Sequence, residues 1–333
     1  MRSFAYDEQV AGQADAVRRA LDCPGVPALD PTRPVLFSGI GTSLHACRVA
    51  AYWVAELSLG RIRPAAVEAH ELALHGRFTM GDQIVVVSHR GTKRFPGDLL
   101  ARARAAGATT VTVTGLGAAN PGGDHILRTG PDERASTHSV SYLTALAVLG
   151  QIVARMLDDG EFSKLLAGIP DGIRETLALP APVEILSRLI NREPLLVTGY
   201  GIDEITADEA ALKIKEGCYL YAEGMSEELA LHGTPAAFDP RMGAIVIKPG
   251  RDDGGRARDL TALLLELGVA VLEAGPAAAD LPFADVEYLL RPFVAIIPIQ
   301  RLVAELARRR GSNPDLTRGD VEPWASAIHR VRL

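Results

Sequence analysis

One pattern occurs twice in this chain. Pro34-Val-Leu-Phe-Ser-Gly-Ile-Gly41 and Pro194-Leu-Leu-Val-Thr-Gly-Tyr-Gly201 each run from a proline through an apolar strand into a Gly-x-Gly turn. The segments that follow also match. Gln83-Ile-Val-Val-Val-Ser pairs with Gly243-Ala-Ile-Val-Ile-Lys, and Thr110–Thr114 pairs with Val269-Ala-Val-Leu-Glu. Long Ala/Leu/Arg stretches separate these short β-branched runs, which is the signature of parallel βαβ units. Strands as uniformly apolar as Gln83–Val87 are expected to be buried on both faces. A repeat on this scale predicts an α/β protein of two doubly wound parallel-sheet domains in tandem. The expected limits are 1–165 and 166–312, followed by a tail over 313–333. The join is expected near Gly160–Pro182, where Gly, Pro and Asp punctuate the chain.

At 333 residues the chain exceeds one ordinary core and fits two domains of about 150 residues. A formal net charge of −6 argues against a nucleic-acid binder, which would carry a basic face. An anionic ligand must then be held by local groups, not by the overall field. Cys23, Cys47 and Cys218 have no metal-ligand spacing and cannot all pair, so no metal site and a reduced, cytoplasmic compartment are expected. Met1-Arg-Ser-Phe-Ala-Tyr-Asp-Glu8 lacks the apolar run of a secretory signal. The apolar run Leu143–Val153, inside a helix expected over Val140–Leu157, reads as a buried helix and not a membrane span.

Two turns carry anion-binding chemistry. In Gly39-Ile-Gly-Thr-Ser43 the glycines let a ligand approach the backbone, and Thr42 and Ser43 add hydroxyls where a helix N-terminus exposes N–H groups. A Gly-x-Gly turn also fits tight packing alone. Ser88-His-Arg-Gly-Thr-Lys93 ends the second strand, the edge at which doubly wound sheets bind ligands. It brings Ser88, His89, Arg90 and Lys93 around Gly91, and Arg and Lys suit phosphate. The same cations also fit a solvated loop.

The helix Asp208–Glu216 places Glu209, Lys213 and Glu216 on one face by their spacing. Such a run is usually a surface salt-bridge ladder. The apolar Gly217-Cys-Tyr-Leu-Tyr-Ala that follows instead puts Glu216 near a buried edge, as a candidate base. His232 follows a helix expected over Met225–Leu231 and is the candidate acid/base partner; His138 is a weaker pocket candidate.

Together these segments resemble the SIS (sugar isomerase) family, whose domains are flavodoxin-like. From about Glu8 to Asp315 the chain is similar to the tandem-SIS isomerase portion of glucosamine-6-phosphate synthase. The family's strand-Gly-x-Gly-Thr-Ser turn appears as Val35–Ser43, and its Ser-x-Ser-Gly-x-Thr phosphate loop as Ser88–Lys93. Its Glu-Gly-Ala-Leu-Lys-x-Lys-Glu helix appears as Glu209–Glu216. Its Glu-Leu-x-His-Gly-Pro segment appears, with one insertion, as Glu228–Pro235, and the start of its C-terminal tail as Arg310-Gly-Ser-Asn-Pro-Asp315.

The resemblance implies sugar-phosphate binding by Thr42, Ser43 and Ser88, beside the candidate Gly41 of the same turn. It implies Glu216 as the base moving a proton between C1 and C2, and His232 as the ring-opening acid/base. Because the family donates this histidine across a dimer interface, a homodimer is implied. This chain departs from the family in its phosphate loop, where Arg90 and Lys93 replace hydroxyl residues. It departs again in its tail, which has no lysine after Asp315. The expectation is a phosphosugar aldose–ketose isomerase, or an amino sugar phosphate isomerase or deaminase, without a glutaminase domain or cofactor. The alternative is a non-catalytic sugar-phosphate sensor. A dinucleotide enzyme fits poorly, because neither Gly-x-Gly turn completes G-x-G-x-x-G.

Overall fold

The computed structural model describes residues 3–276 and 278–331. The chain divides into two compact units. One comprises Gly12–Glu133, Val140–Pro170 and the residues from Ala327 on; the other comprises the residues up to Ala11, Arg134–Ser139 and Asp171–Ser326.

The first unit contains β1 (Val35–Gly39), β2 (Ala65–Glu68), β3 (Gln83–Val87), β4 (Thr109–Thr114) and β5 (His125–Arg128). They form a parallel sheet in the order β2-β1-β3-β4-β5. All five residues of β3 are buried, as its sequence predicts for a central strand covered on both faces. On one face Ile84 and Val86 pack with Leu99, Leu100 and Ala103 of the helix Arg94–Ala105. The helix Val140–Leu157 is long and apolar enough to cross a membrane by length and composition, but 83% of it is buried within the protein.

The second unit contains β6 (Leu195–Gly199), β7 (Ala222–Ser226), β8 (Gly243–Ile247), β9 (Ala270–Gly275) and β10 (Leu281–Pro282). Its order is β10-β9-β8-β6-β7, again parallel throughout. Read from the other edge it is the same topology, so among the described residues the sequence repeat is a repeat of fold. The two Gly-x-Gly turns match in backbone detail. Gly41 (φ 55°, ψ −127°) and Gly201 (φ 61°, ψ −119°) each precede a helix, in a region a side chain would strain. A Cβ on Gly39 would lie 2.7 Å from the Ser43 carbonyl carbon, and one on Gly199 would lie 2.3 Å from the Asp203 oxygen.

Two expectations need correction. The units change over at Pro170–Asp171, inside the stretch Gly160–Pro182, but the chain does not break there: Gly160–Ala178 is one helix, with Pro170 inside it. The Asp159 carboxylate accepts the Phe162 N–H, so the Asp-Gly pair starts a helix where it was read as a break. The helix before His232 starts at Glu227 and not at Met225. Met225 and Ser226 end β7, and the Ser226 hydroxyl caps the helix by accepting the Leu229 N–H.

Candidate functional site

In the first unit, β1 and β3 lie side by side with Ser38 opposite Val86. This register brings the turn after Gly39 beside the turn after Val87, at the point where strand order reverses. Gly41, Thr42 and Ser43 are half-buried at the start of the helix Thr42–Leu57. Ser88 is buried; its N–H donates to the Val113 carbonyl and its own carbonyl accepts the Thr114 hydroxyl. Neither the Ser43 nor the Ser88 hydroxyl has a partner among the described residues.

Arg90 is exposed and Lys93 half-buried, and neither meets a carboxylate within ion-pair distance among the described residues. Burial, and secondarily the Arg90 charge, pulls the Lys93 ammonium below the usual lysine range. Arg94 is instead taken by Asp98 at 3.3 Å. His89 faces the protein: its Nε2 accepts the Glu133 N–H at 3.0 Å, and a Cβ on Gly115 would sit 2.7 Å from its ring. Burial holds its imidazole below the usual histidine range, against the opposing pull of Glu133 and Asp132. A histidine used as an acceptor in this way fixes the loop; its ring is occupied before any ligand arrives.

In the second unit, Glu216 lies one turn from the end of the helix Ile202–Cys218. Lys213 and Glu209 are fully buried. The Lys213 Nζ lies 2.6 Å from Glu216 Oε2 and 3.5 Å from Glu209 Oε1, while the Glu216 side chain is 31% exposed. The shared face predicted from spacing is therefore present, but it points inward instead of forming a solvated ladder. One Glu216 oxygen is held by the lysine and the other has no partner among the described residues.

The end of this helix is tied to the tail motif. Ser312 Oγ donates to the Gly217 carbonyl. The Tyr219 hydroxyl donates to the Asn313 carbonyl and accepts the Arg318 N–H at 2.9 Å. His232 follows the helix Glu227–Leu231, is exposed, and makes no side-chain bond among the described residues; no hydrogen bond or ion pair joins it to Glu216.

The second Gly-x-Gly turn is occupied differently from the first. The Ile202 N–H, topologically matching that of Thr42, is capped by the Tyr288 hydroxyl at 3.0 Å. Asp203 stands where Ser43 stands and pairs with the buried Arg291 at 2.9 Å. Burial raises the Asp203 carboxyl to about 6, with Arg291 opposing. Sequence reasoning singled out neither Tyr288 nor Arg291, because both arrive from a distant segment.

It also passed over Glu227, which is 1% exposed with neither carboxylate oxygen hydrogen-bonded among the described residues. Burial raises its carboxyl to about 7, reinforced by the charges of Asp253, Asp203 and Glu204. An acid with a raised folded-state pKa stabilises the fold fully below its unfolded value near 4.5, and that stability is lost as pH climbs through about 7. Glu227→Gln should therefore match the parent near pH 4 and exceed it by about 3 kcal/mol at pH 8. Urea unfolding at the two pH values measures the difference; an equal offset at both would disprove the assignment.

No protein-family model matches the chain. Over 340 residues it is 28% identical to the glutamine–fructose-6-phosphate aminotransferase (isomerizing) of Pyrobaculum aerophilum, covering 95% of this chain and 55% of that protein. The chain thus spans about half the length of the curated relatives it matches. Among solved structures, the C-terminal domain of glucosamine-fructose-6-phosphate aminotransferase from Francisella tularensis superposes with a TM-score of 0.82 at 17% identity, covering 94% of this chain and 98% of that one. Glucosamine-6-phosphate deaminase from Thermotoga maritima gives 0.75 at 20% identity, covering 93% and 96%.

Proposed function

We propose, from the premise that the chain is two tandem SIS domains homologous to the isomerase portion of glucosamine-fructose-6-phosphate aminotransferase, that it opens the ring of a phosphorylated sugar or amino sugar and moves a proton between C1 and C2. The product is the ketose or aldose partner, or, for an amino sugar, the ketose left when the proton shift forms a C2 imine that water hydrolyses with release of ammonia. Gly41, Thr42, Ser43 and Ser88 bind the phosphate, with Arg90 and Lys93 offering charged donors where the family has neutral hydroxyls. Glu216 is the base, and His232 is the acid/base for ring opening.

The observation that supports this reading best is the buried Lys213. It fixes one Glu216 oxygen at 2.6 Å and leaves the other available on a partly exposed side chain. Enolisation asks for such an oriented base, together with an acid and a held anion. Proton NMR in heavy water over a panel of hexose and hexosamine 6-phosphates tests the proposal. Deuterium entering at C1 or C2 is the expected result. A folded protein that binds a panel sugar without exchange would instead be a sensor, the reading favoured by a tail with no lysine after Asp315.

The exposed, unpartnered His232 fits donation to a second copy, so we propose a homodimer in which each base meets the other chain's histidine. Glu216→Gln and His232→Asn variants would then complement. A fully exchanged equal mixture should recover about one quarter of the parental rate, since about half the dimers are mixed and each carries one intact pair. If both groups act within one chain, the mixture stays inactive.

A further inference from the structure

A cavity of about 270 Å³ lies in the unit that holds β6–β10, against the helix Arg291–Arg310. Its apolar walls come from Val10 and Ala11, from the segment Leu177–Pro182, and from Ala304; Asp7, Arg301 and Glu305 stand at its polar side. The carboxylates are already served. Arg308 reaches Asp7 with Nη2 and Glu305 with Nη1. Arg301 is not served in the same way. Its Nη1 donates to the Leu179 carbonyl at 2.8 Å, and it makes no other hydrogen bond or ion pair among the described residues.

A guanidinium carries five donors in a planar fork and stays charged. Arg301 therefore presents uncommitted N–H groups to a cavity with apolar walls on one side and Asp7, Gln300 and Glu305 on the other, and a guanidinium in that state recognises a carboxylate bidentately. Burial weakens the hold of Arg301 on its proton while Glu305 opposes that pull, as for a cation lacking its full complement of partners. Size narrows the ligand further. A cavity of about 150 Å³ accepts benzene, so this one suits about ten non-hydrogen atoms, below the usual range for drug-sized ligands. A hydroxyl-covered sugar phosphate matches neither the size nor the walls.

We propose that this cavity is a second ligand site, independent of the sugar-phosphate turns, for a small monocarboxylate with an apolar body, its carboxylate forked on Arg301. Isothermal titration calorimetry of the full chain with benzoate and hexanoate tests it, with benzamide and hexanamide as neutral matches. One molecule of at least one acid should bind per chain, at least tenfold more tightly than its amide. Arg301→Gln should remove that preference. Ala304→Leu, which fills the cavity and leaves the guanidinium in place, should abolish binding altogether. Equal binding of acid and amide, no binding of either acid at millimolar concentration, or an unchanged preference in Arg301→Gln would overturn the proposal. The acid–amide comparison needs no variant, so it decides the matter even where a substitution unfolds the chain.

Discussion

Glu216→Gln should lower the rate of C1–C2 hydrogen exchange by about 10²–10⁴-fold, the span a positioned general base contributes, while sugar-phosphate affinity stays within a few-fold. The substitution removes basicity with little else. The amide oxygen still accepts from Lys213 Nζ, now 2.6 Å from Oε2, so the end of the helix and its ties to Ser312 and Tyr219 should persist. Parallel measurement of deuterium incorporation and equilibrium binding separates the roles. Lost binding in a folded variant would make Glu216 a ligand contact, and a near-parental exchange rate would remove it from the chemistry.

The largest stability effect is expected at Lys213. Replacing it with methionine leaves Glu209, which has no exposure, without its lysine, and breaking a buried pair on one side costs about 3–5 kcal/mol. Chemical denaturation should show that loss at pH 7 and a smaller one near pH 4, where a carboxylate can take up a proton. The double substitution Glu209→Met with Lys213→Met should regain most of the stability, because apolar groups of similar volume often replace buried ions at little cost. It should not regain exchange activity. A single substitution within about 0.5 kcal/mol of the parent would mean that water reaches this cluster.

The central strands were legible because burial on both faces leaves runs such as Gln83–Val87 and Gly243–Ile247 almost wholly apolar. The edge strands Ala65–Glu68, His125–Arg128 and Ala222–Ser226 were not, since each is short and keeps exposed or half-buried positions. In Gly160–Pro182, composition gave the place where the units change but not the helix that runs through it, which the Asp159 carboxylate caps and which tolerates Pro170. At the candidate site, spacing gave the common face of Glu209, Lys213 and Glu216, and the apolar run after it put Glu216 near a buried edge; the full burial of Glu209 and Lys213 had no such signal. The cap on the second Gly-x-Gly turn comes from Tyr288 and the partner of Asp203 is Arg291, and Glu227 has no sequence signature. Contacts closed over such distances leave no local trace.

The helix Ala5–Ala11 takes its N-terminal cap from the Asp315 carboxylate, which accepts the Ala5 and Tyr6 amides across 310 and 309 positions of sequence, and Asp7 takes its ion-pair partner from Arg308. On the ribosome the first of these groups emerges long before the second. At about 5–20 residues per second the helix waits on the order of 15–60 s for its cap. Phe4, Tyr6 and Val10, buried in the finished protein, have no native cover during that interval. Vectorial synthesis therefore makes this short helix one of the last pieces to settle, and a holding chaperone would meet it first.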